Sequence, residues 1–182
     1  MKMNMKTWAL ATALGMTALT AQAQGVDYRE LGTSGDWTAI TFETEEKGKV
    51  CAIYSRPVDS QLLEGGEPRA GLRGERAAFI TWEDGKVDEA GGVFSAMVGA
   101  PLADPLAEHV FETEKGEFPM FGYEDRLFAD ETADTDAIEA IRRGMVLTLK
   151  AILPGERVAK DEYSLKGVVA ATRLAASECG GV

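Results

Sequence analysis

The feature that most constrains the fold of this chain is a pair of cysteines that lie far apart in sequence. Cys51 and Cys179 are the only cysteines among 182 residues. In an exported protein, an even pair of cysteines predicts a disulfide. The bridge would close a loop of about 130 residues and stabilise the fold by about 4–5 kcal/mol in the chain-entropy treatment. It would also place the early and late parts of the domain side by side.

Two alternatives to the disulfide are a pair of buried free thiols and a metal site that uses both sulfurs. The metal site is disfavoured because the single histidine lies far from both cysteines in sequence. No CxxC motif occurs, so a thioredoxin-type redox function has no support. The disulfide is therefore our prediction, and free thiols are its alternative.

Residues 1–23 have the pattern of a secretory signal peptide, with cleavage predicted before Gln24. Lys2 and Lys6 precede an uncharged run of 14 residues, and the segment ends in the small-residue pattern Ala21-Gln22-Ala23. The run is shorter than the roughly 20 apolar residues that a bilayer-spanning helix needs. We expect a mature domain of residues 24–182 without a transmembrane segment. Its predicted location is the periplasm, with the outer-membrane surface or secretion as alternatives.

Composition and charge restrict the class of the mature domain. The full chain carries a formal charge of −11, and loss of the two lysines of the signal peptide leaves −13. This acidity disfavours nucleic-acid binding and electrostatic adsorption to anionic lipid, because both need a basic surface. A hydrophobic content of 45% is too high for a disordered chain, and the length suits one domain. The composition predicts an acidic globular domain.

Strand patterns dominate the mature chain. Aromatic and β-branched residues, alternation and turn dipeptides such as Asp84-Gly85 mark the strands. Val26–Gly35 is predicted to be a loose lead-in, and Arg56–Gly74 a long surface loop. The predicted strands are Asp36–Thr44, Val50–Ser55, Glu75–Glu83, Gly92–Val98, His109–Glu114, Glu117–Tyr123, Arg126–Phe128, Met145–Leu153 and Arg157–Tyr163.

Two helices complete the predicted fold. Acidic residues at the start and arginines at the end favour a short helix over 134–143, which Gly144 terminates. Ser164 is the predicted cap of a C-terminal helix over 165–178, whose apolar stripe leads to Cys179. The expected fold is mainly β, a β-sandwich or partly open barrel with these two helices.

No catalytic constellation or cofactor motif is present in the sequence. His109 lies in a predicted strand, where its neighbour Glu108 points to the opposite face and cannot orient it. We interpret His109 as a surface or satisfied structural histidine. Trp37 and Trp82 are interpreted as buried strand residues in preference to the lining of a binding groove. We predict no catalytic residues, no cofactor and no enzyme activity.

An acidic run before the short helix is the one candidate for a metal site. Asp130, Asp134 and Asp136 offer the hard oxygen ligands that calcium prefers. The run lacks the central glycine and distant glutamate of an EF-hand loop, and helix capping explains most of its acids. These three residues are weak candidates only.

The order of several short motifs resembles the invasion-associated locus B family of bacterial envelope proteins. The motifs are Gly35-Asp36-Trp37-Thr38, Gly48-Lys49-Val50-Cys51, Arg142-Arg143-Gly144 and the segment YSLKGVVAA at 163–171 followed by Cys179. Val168 stands where the family often has an aromatic residue, and Ile40-Thr41 where some members have an additional cysteine. The resemblance implies an envelope location and a mostly β fold, and no catalytic residues.

Two functions of different classes follow from these observations. The first is a non-catalytic envelope protein that binds an unknown envelope or host protein. The alternative is a periplasmic carrier of a small ligand or divalent cation that uses the acidic run. Neither involves nucleic acid.

Overall fold

The structure is a computed structural model that describes residues 27–83, 87–88, 91–130 and 134–180, apart from the side chain of Asp134. The predicted signal peptide, the predicted Asp84-Gly85 turn and residues 131–133 of the acidic run lie outside this part of the chain.

The described residues form twelve strands and two helices. In chain order they are β1 (Tyr28–Ser34), β2 (Trp37–Thr44), β3 (Gly48–Ser55), β4 (Asp59–Glu64), β5 (Glu67–Pro68), β6 (Ala77–Trp82), β7 (Val93–Met97), β8 (His109–Thr113), β9 (Gly116–Tyr123), β10 (Arg126–Ala129), α1 (Asp134–Arg143), β11 (Val146–Leu153), β12 (Arg157–Ser164) and α2 (Val168–Cys179).

All the strands belong to one antiparallel sheet that is not closed. Its order is β1-β2-β3-β6-β7-β10-β9-β8-β11-β12-β4-β5, so hairpin neighbours dominate and β1 and β5 form the two edges. The prediction of a mainly β fold with a short internal helix and a C-terminal helix is confirmed.

The sheet coils so that distant strands meet. Trp37 in β2 donates its indole N–H to the carbonyl of Ser164 in β12, at 2.9 Å. Eight strand steps separate β2 from β12 in the sheet order, which would be about 40 Å in a flat sheet. The rings of Phe94 in β7 and Phe111 in β8 are likewise 4.7 Å apart across the interior. We call the side of the sheet that encloses this interior the inner face, and the other side the outer face.

Alternation in the strands supplies the core. In β11, every second residue from Leu147 to Leu153 is buried on the inner face, as the sequence pattern predicts. Leu149 lies directly between Phe111 of β8 and Asp161 of β12 in the register. Met145, predicted to share the buried face, precedes the strand and is exposed.

Helix α2 packs over β1, β2 and β3 and brings the two cysteines together. The Cα atoms of Cys51 in β3 and Cys179 at the end of α2 are 6.5 Å apart, a separation that a disulfide spans. Both residues are buried. The buried residues of the helix are Val168, Ala171, Thr172, Ala175 and Cys179.

The start of α2 differs from the prediction. Gly167, with φ of 100°, is the residue before the helix, and no side chain caps it. Ser164 is therefore not the cap: it ends β12, and its hydroxyl accepts a hydrogen bond from the Lys166 N–H at 3.3 Å. The segment at Gly167 crosses the β1–β2 turn closely, since the Asp36 N–H donates to the Lys166 carbonyl at 2.9 Å.

Two segments predicted to be irregular contain strands. The predicted lead-in holds β1, which pairs with β2 through a register shift between Glu30 and Gly32. The predicted long loop holds β4, which pairs with β12, and the short β5. Both lie at the margins of the sheet and bury few side chains, so the hydrophobic alternation that marks inner strands is weak.

Candidate functional site

The outer face of the sheet is apolar and aromatic over its first half. Antiparallel sheets that face water on one side normally place polar residues there. In β1, β2, β3, β6, β7, β10 and β9, the register instead places many large apolar side chains outside, with Ser95 of β7 between Phe79 and Phe128. We call this set the aromatic face: Tyr28, Ile40, Phe42, Tyr54, Phe79, Met97, Phe121, Tyr123 and Phe128.

Two ring contacts lie within the aromatic face. Tyr54 and Phe79 have ring centroids 6.0 Å apart, and Phe121 and Phe128 stack at 5.6 Å. Tyr28 and Tyr123, at the two sides of the face, are 53% and 64% exposed. Burial of such surfaces against a partner is favourable, and contiguous exposed patches commonly mark binding sites.

The outer face of the second half of the sheet is polar at its centre, with Val110, Val146, Ile152 and Val158 on the same face around it. Its polar centre provides an internal comparison. Glu112, Lys150, Lys160 and Glu162 occupy adjacent outer positions of β8, β11 and β12. Lys150 pairs with Glu112, and Lys160 pairs with Glu162 at 3.1 Å. The hydrogen bond from Lys150 lowers the pKa of the Glu112 carboxyl. We call this surface the polar face.

A groove of about 270 Å³ runs over the aromatic face. Its floor is formed by side chains from β2, β3, β6 and β7, among them Ile40, Phe42, Tyr54, Phe79 and Met97. The strand pairings place Met97 and Phe42 six residues apart along the direction of the strands. This separation is about 20 Å, at about 3.3 Å per residue. The groove therefore has the length of a short extended chain, and its lining residues come from the neighbouring strands β1, β2, β3, β6, β7 and β10 and the segment before β6.

Three arginines lie at one end of this groove. The Arg126 guanidinium carbon is 6.0 Å from the centre of the Phe79 ring. Arg56 pairs weakly with Glu75, at 3.9 Å between exposed side chains. The Nε of Arg76 is buried and has no hydrogen-bond partner among the described residues. The opposite end, at Tyr28 and Phe42, is apolar and aromatic.

A second polar cluster lies inside the fold. Arg73 and Asp161 form a bidentate ion pair whose side chains are 4% and 0% exposed, with one contact of 2.8 Å. Arg73 also donates to the carbonyl of Val98 at 3.1 Å, so it joins the loop after β5 to β7 and β12. Burial and the nearby Asp161 raise the pKa of Tyr163. The cluster is enclosed, and its evident effect is to hold three elements together.

His109 is a buried residue whose two ring nitrogens are both used. Its Nδ1 accepts from the Ile152 N–H at 3.0 Å, and its Nε2 lies 2.8 Å from the Asp104 carbonyl. These partners fit a neutral ring with the proton on Nε2. This is the satisfied structural histidine that the sequence predicts.

The remaining candidates do not line the groove. Trp37 and Trp82 are buried on the inner face, as predicted. Asp130 and Asp136 are exposed, and the side chain of Asp134 is not described. Within the described ranges, no three acidic, histidine or cysteine side chains come together as metal ligands. None of the described helices is long and apolar enough to cross a membrane.

Comparison with known proteins gives no match for this chain, whether among protein-family models, curated proteins or solved structures. The aromatic face itself was missed by sequence reasoning. A signal for it exists in β2, where Trp37 and Ala39 are apolar on one face, and Ile40 and Phe42 on the other. A strand that is apolar at both parities is typical of a strand covered on both faces.

Proposed function

We propose that this chain is an exported, non-catalytic binding protein of the bacterial envelope, located in the periplasm and related to the invasion-associated locus B proteins. In this proposal it binds a protein or another envelope component through the aromatic face. The observation that carries the proposal is the contrast between the aromatic face and the polar face of the same sheet.

The composition of the aromatic face supports binding. Aromatic residues, methionine and arginine are enriched where proteins bind partners, and lysine and glutamate are depleted there. The aromatic face has seven aromatic side chains, Met97 and a flanking Arg126. The polar face has the opposite composition, with paired lysines and glutamates.

The groups best suited to chemistry support a non-catalytic function, because they serve the fold. His109 is held by two backbone groups, and Asp161 is held by Arg73. His109 and Asp161 are 1% and 0% exposed. A catalytic residue must reach its substrate.

Photocrosslinking in living cells tests the proposed binding surface. A photoreactive phenylalanine analogue replaces Tyr54 on the aromatic face in one strain and Thr148 on the polar face in a control strain. We expect a discrete covalent adduct from the Tyr54 position and none from the Thr148 position. Equal labelling from the two positions, or none from either, would contradict the proposal.

Protease accessibility tests the proposed location. Protease is added to intact cells and to cells whose outer membrane has been opened osmotically. We expect the protein to be digested only in the opened cells. Digestion in intact cells would place it on the surface and exclude the periplasm.

A further inference from the structure

The polarity of the groove is arranged along its length, which restricts what it binds. Arg56, Arg76 and Arg126 lie at the end formed by the start of β6 and the turn before β10, where Glu75 is the one carboxylate among the described lining residues. Ile40, Phe42 and Tyr28 lie at the other end. A protein interface usually has an apolar centre inside a polar rim. A one-ended distribution of charge suits a ligand that is charged at one end and apolar along the rest.

Two of the three arginines have no acidic partner in the part of the chain that the structure describes. Neither Arg76 nor Arg126 is within ion-pair distance of a described carboxylate, although the chain has 30 acidic residues against 19 basic ones. Arg126 lies over an aromatic ring, and the Nε of Arg76 is buried without a hydrogen bond. An anionic group at this end of the groove would accept charge-assisted hydrogen bonds from the guanidinium groups that reach it, above all from the exposed Arg126.

The dimensions of the groove suit one extended chain. Its volume of about 270 Å³ falls just below the range of about 300–1,000 Å³ that is typical of pockets for compact organic ligands. Its length of about 20 Å follows six residues of strand. The negative net charge disfavours adsorption to an anionic bilayer, but the local arginines still attract a single anionic head group.

We propose that the groove binds a single-chain anionic amphiphile, with its carboxylate or phosphate at Arg76 and Arg126 and its apolar chain along Phe79, Ile40 and Phe42. This inference rests on the proposed function of the aromatic face and specifies the envelope component as an amphiphile. The arginines donate hydrogen bonds to the head group, and the aromatic floor buries the methylene groups.

Calorimetric titration of the mature protein with four decyl compounds tests the ligand class. The probes are decanoate, decyl phosphate, 1-decanol and decyltrimethylammonium. The three ionic probes are kept below their micellar concentrations, and 1-decanol is kept below its solubility limit. We expect at least one anionic probe to bind at least about tenfold more tightly than the alcohol and the cation, because charge-assisted hydrogen bonds are stronger than neutral ones. Preference for decanoate would indicate a fatty acid, and preference for decyl phosphate a phospholipid-derived ligand; both support the proposal.

Matched variants test the two ends of the groove. Arg76→Gln and Arg126→Gln should each lower the affinity for the anionic probe about fivefold or more and leave the affinity for 1-decanol unchanged. Arg157→Gln is the control, because Arg157 lies in the β11–β12 hairpin and bonds only the Pro154 carbonyl among the described partners. Phe42→Gln should lower the affinities for the anionic probe and for 1-decanol alike. Its control is Val146→Gln, at a residue of β11 that is 42% exposed, which should lower neither affinity.

The outcomes separate this inference from the proposed function. Three results would overturn the proposal that the groove binds an anionic amphiphile. They are no binding of any probe, equal affinities for decanol and the anions, and an anion affinity that neither arginine variant changes. If a protein adduct still formed at Tyr54 in the crosslinking experiment, the aromatic face would remain a binding surface for a protein. Thermal unfolding of each variant confirms that it is folded before its affinity is compared.

Discussion

At the residue scale, the ion pair of Arg73 and Asp161 is distinguished by its burial. Both side chains are almost fully excluded from water, and the geometry is bidentate. The attraction within such a pair is largely offset by the cost of removing two charges from water. The pair is therefore more important for fixing the loop after β5 than for the net free energy of folding. Loss of one partner has a different effect from loss of both.

We predict that Asp161→Asn destabilises the domain by about 3–5 kcal/mol, because it leaves the Arg73 guanidinium buried without a counter-charge. The double variant Arg73→Met with Asp161→Leu should recover most of that loss. Urea unfolding of the single and double variants measures both values. The control is Lys160→Gln on the solvent side of the same strand, which should change stability by less than about 1 kcal/mol. A double variant as unstable as the single one would contradict this account.

At the element scale, exposed carboxylates join the ends of strands and helices. Glu114, after β8, accepts hydrogen bonds from the Met145 and Val146 N–H groups at 3.1 and 3.3 Å, at the start of β11. Glu178, in the last turn of α2, pairs with Arg29 of β1 and with Lys49 of β3 at 3.6 Å. These contacts lower the pKa values of both carboxyls. For Glu114 the bond from its own backbone N–H has the largest effect, followed by that from Met145.

These pKa shifts predict a loss of stability in acid. A carboxyl with a lowered pKa in the folded state takes up its proton first in the unfolded state, so acid favours unfolding. The contribution of Glu114 is complete above the ordinary value of 4.5 and is lost as the pH falls through the lower folded pKa. Urea midpoints between pH 7 and pH 3 should fall less steeply for Glu114→Gln than for the unchanged chain. Glu108→Gln, at an exposed residue, is the control. Parallel pH profiles for all three proteins would refute the prediction.

The crossing of the β1–β2 turn and the start of α2 depends on glycine. Gly167 has φ of 100°, and a Cβ there would lie 1.9 Å from the carbonyl oxygen of Ser34. A Cβ on Gly35 would lie 2.3 Å from the carbonyl oxygen of Lys166. Each glycine therefore allows the backbone of the other segment to pass.

We predict that Gly167→Ala costs at least about 2 kcal/mol, since it combines backbone strain with a clash against main-chain atoms. Gly48→Ala in the β2–β3 turn, where φ is 64° but no atom lies within 4 Å of the added Cβ, should cost less, about 1 kcal/mol. Thermal unfolding of the two variants compares strain alone with strain plus a clash. Equal costs would show that the close approach does not matter.

At the scale of the whole molecule, the sequence predicted most of the fold and little of the site. The strands away from the sheet edges and both helices were predictable, because their buried residues recur with periods of 2 and 3.6 residues. β1 was missed because it is an edge strand with a bulge, so its polar residues hide the alternation. Arg76 and Arg126 are distant in sequence and become neighbours only through the register of β6, β7 and β10. No local sequence pattern indicates which residues of neighbouring strands will pair.

The proximity of Cys51 and Cys179 allows a direct test of the predicted disulfide. We expect no free thiol in the protein purified under oxidising conditions, and one in each single variant Cys51→Ala or Cys179→Ala. Loss of the bridge should lower the free energy of unfolding by about 4 kcal/mol, because it closes a loop of about 130 residues. The double variant should resemble the single ones in stability. Two titratable thiols in the unchanged protein would show that the cysteines are reduced.

Under the proposed export, the separation of the two cysteines also determines when the bridge can form. Cys179 follows Cys51 by 128 residues. In the proposed export, Cys51 therefore stays reduced until nearly the whole domain has been translocated. During this interval it has no other cysteine in its own chain with which to pair. Wrong pairing within the chain is therefore impossible, and maturation requires an oxidant without a disulfide isomerase. In the folded domain, the docking of α2 on β1, β2 and β3 places the Cα atoms of the two cysteines 6.5 Å apart, so folding favours the bridge over the open thiols.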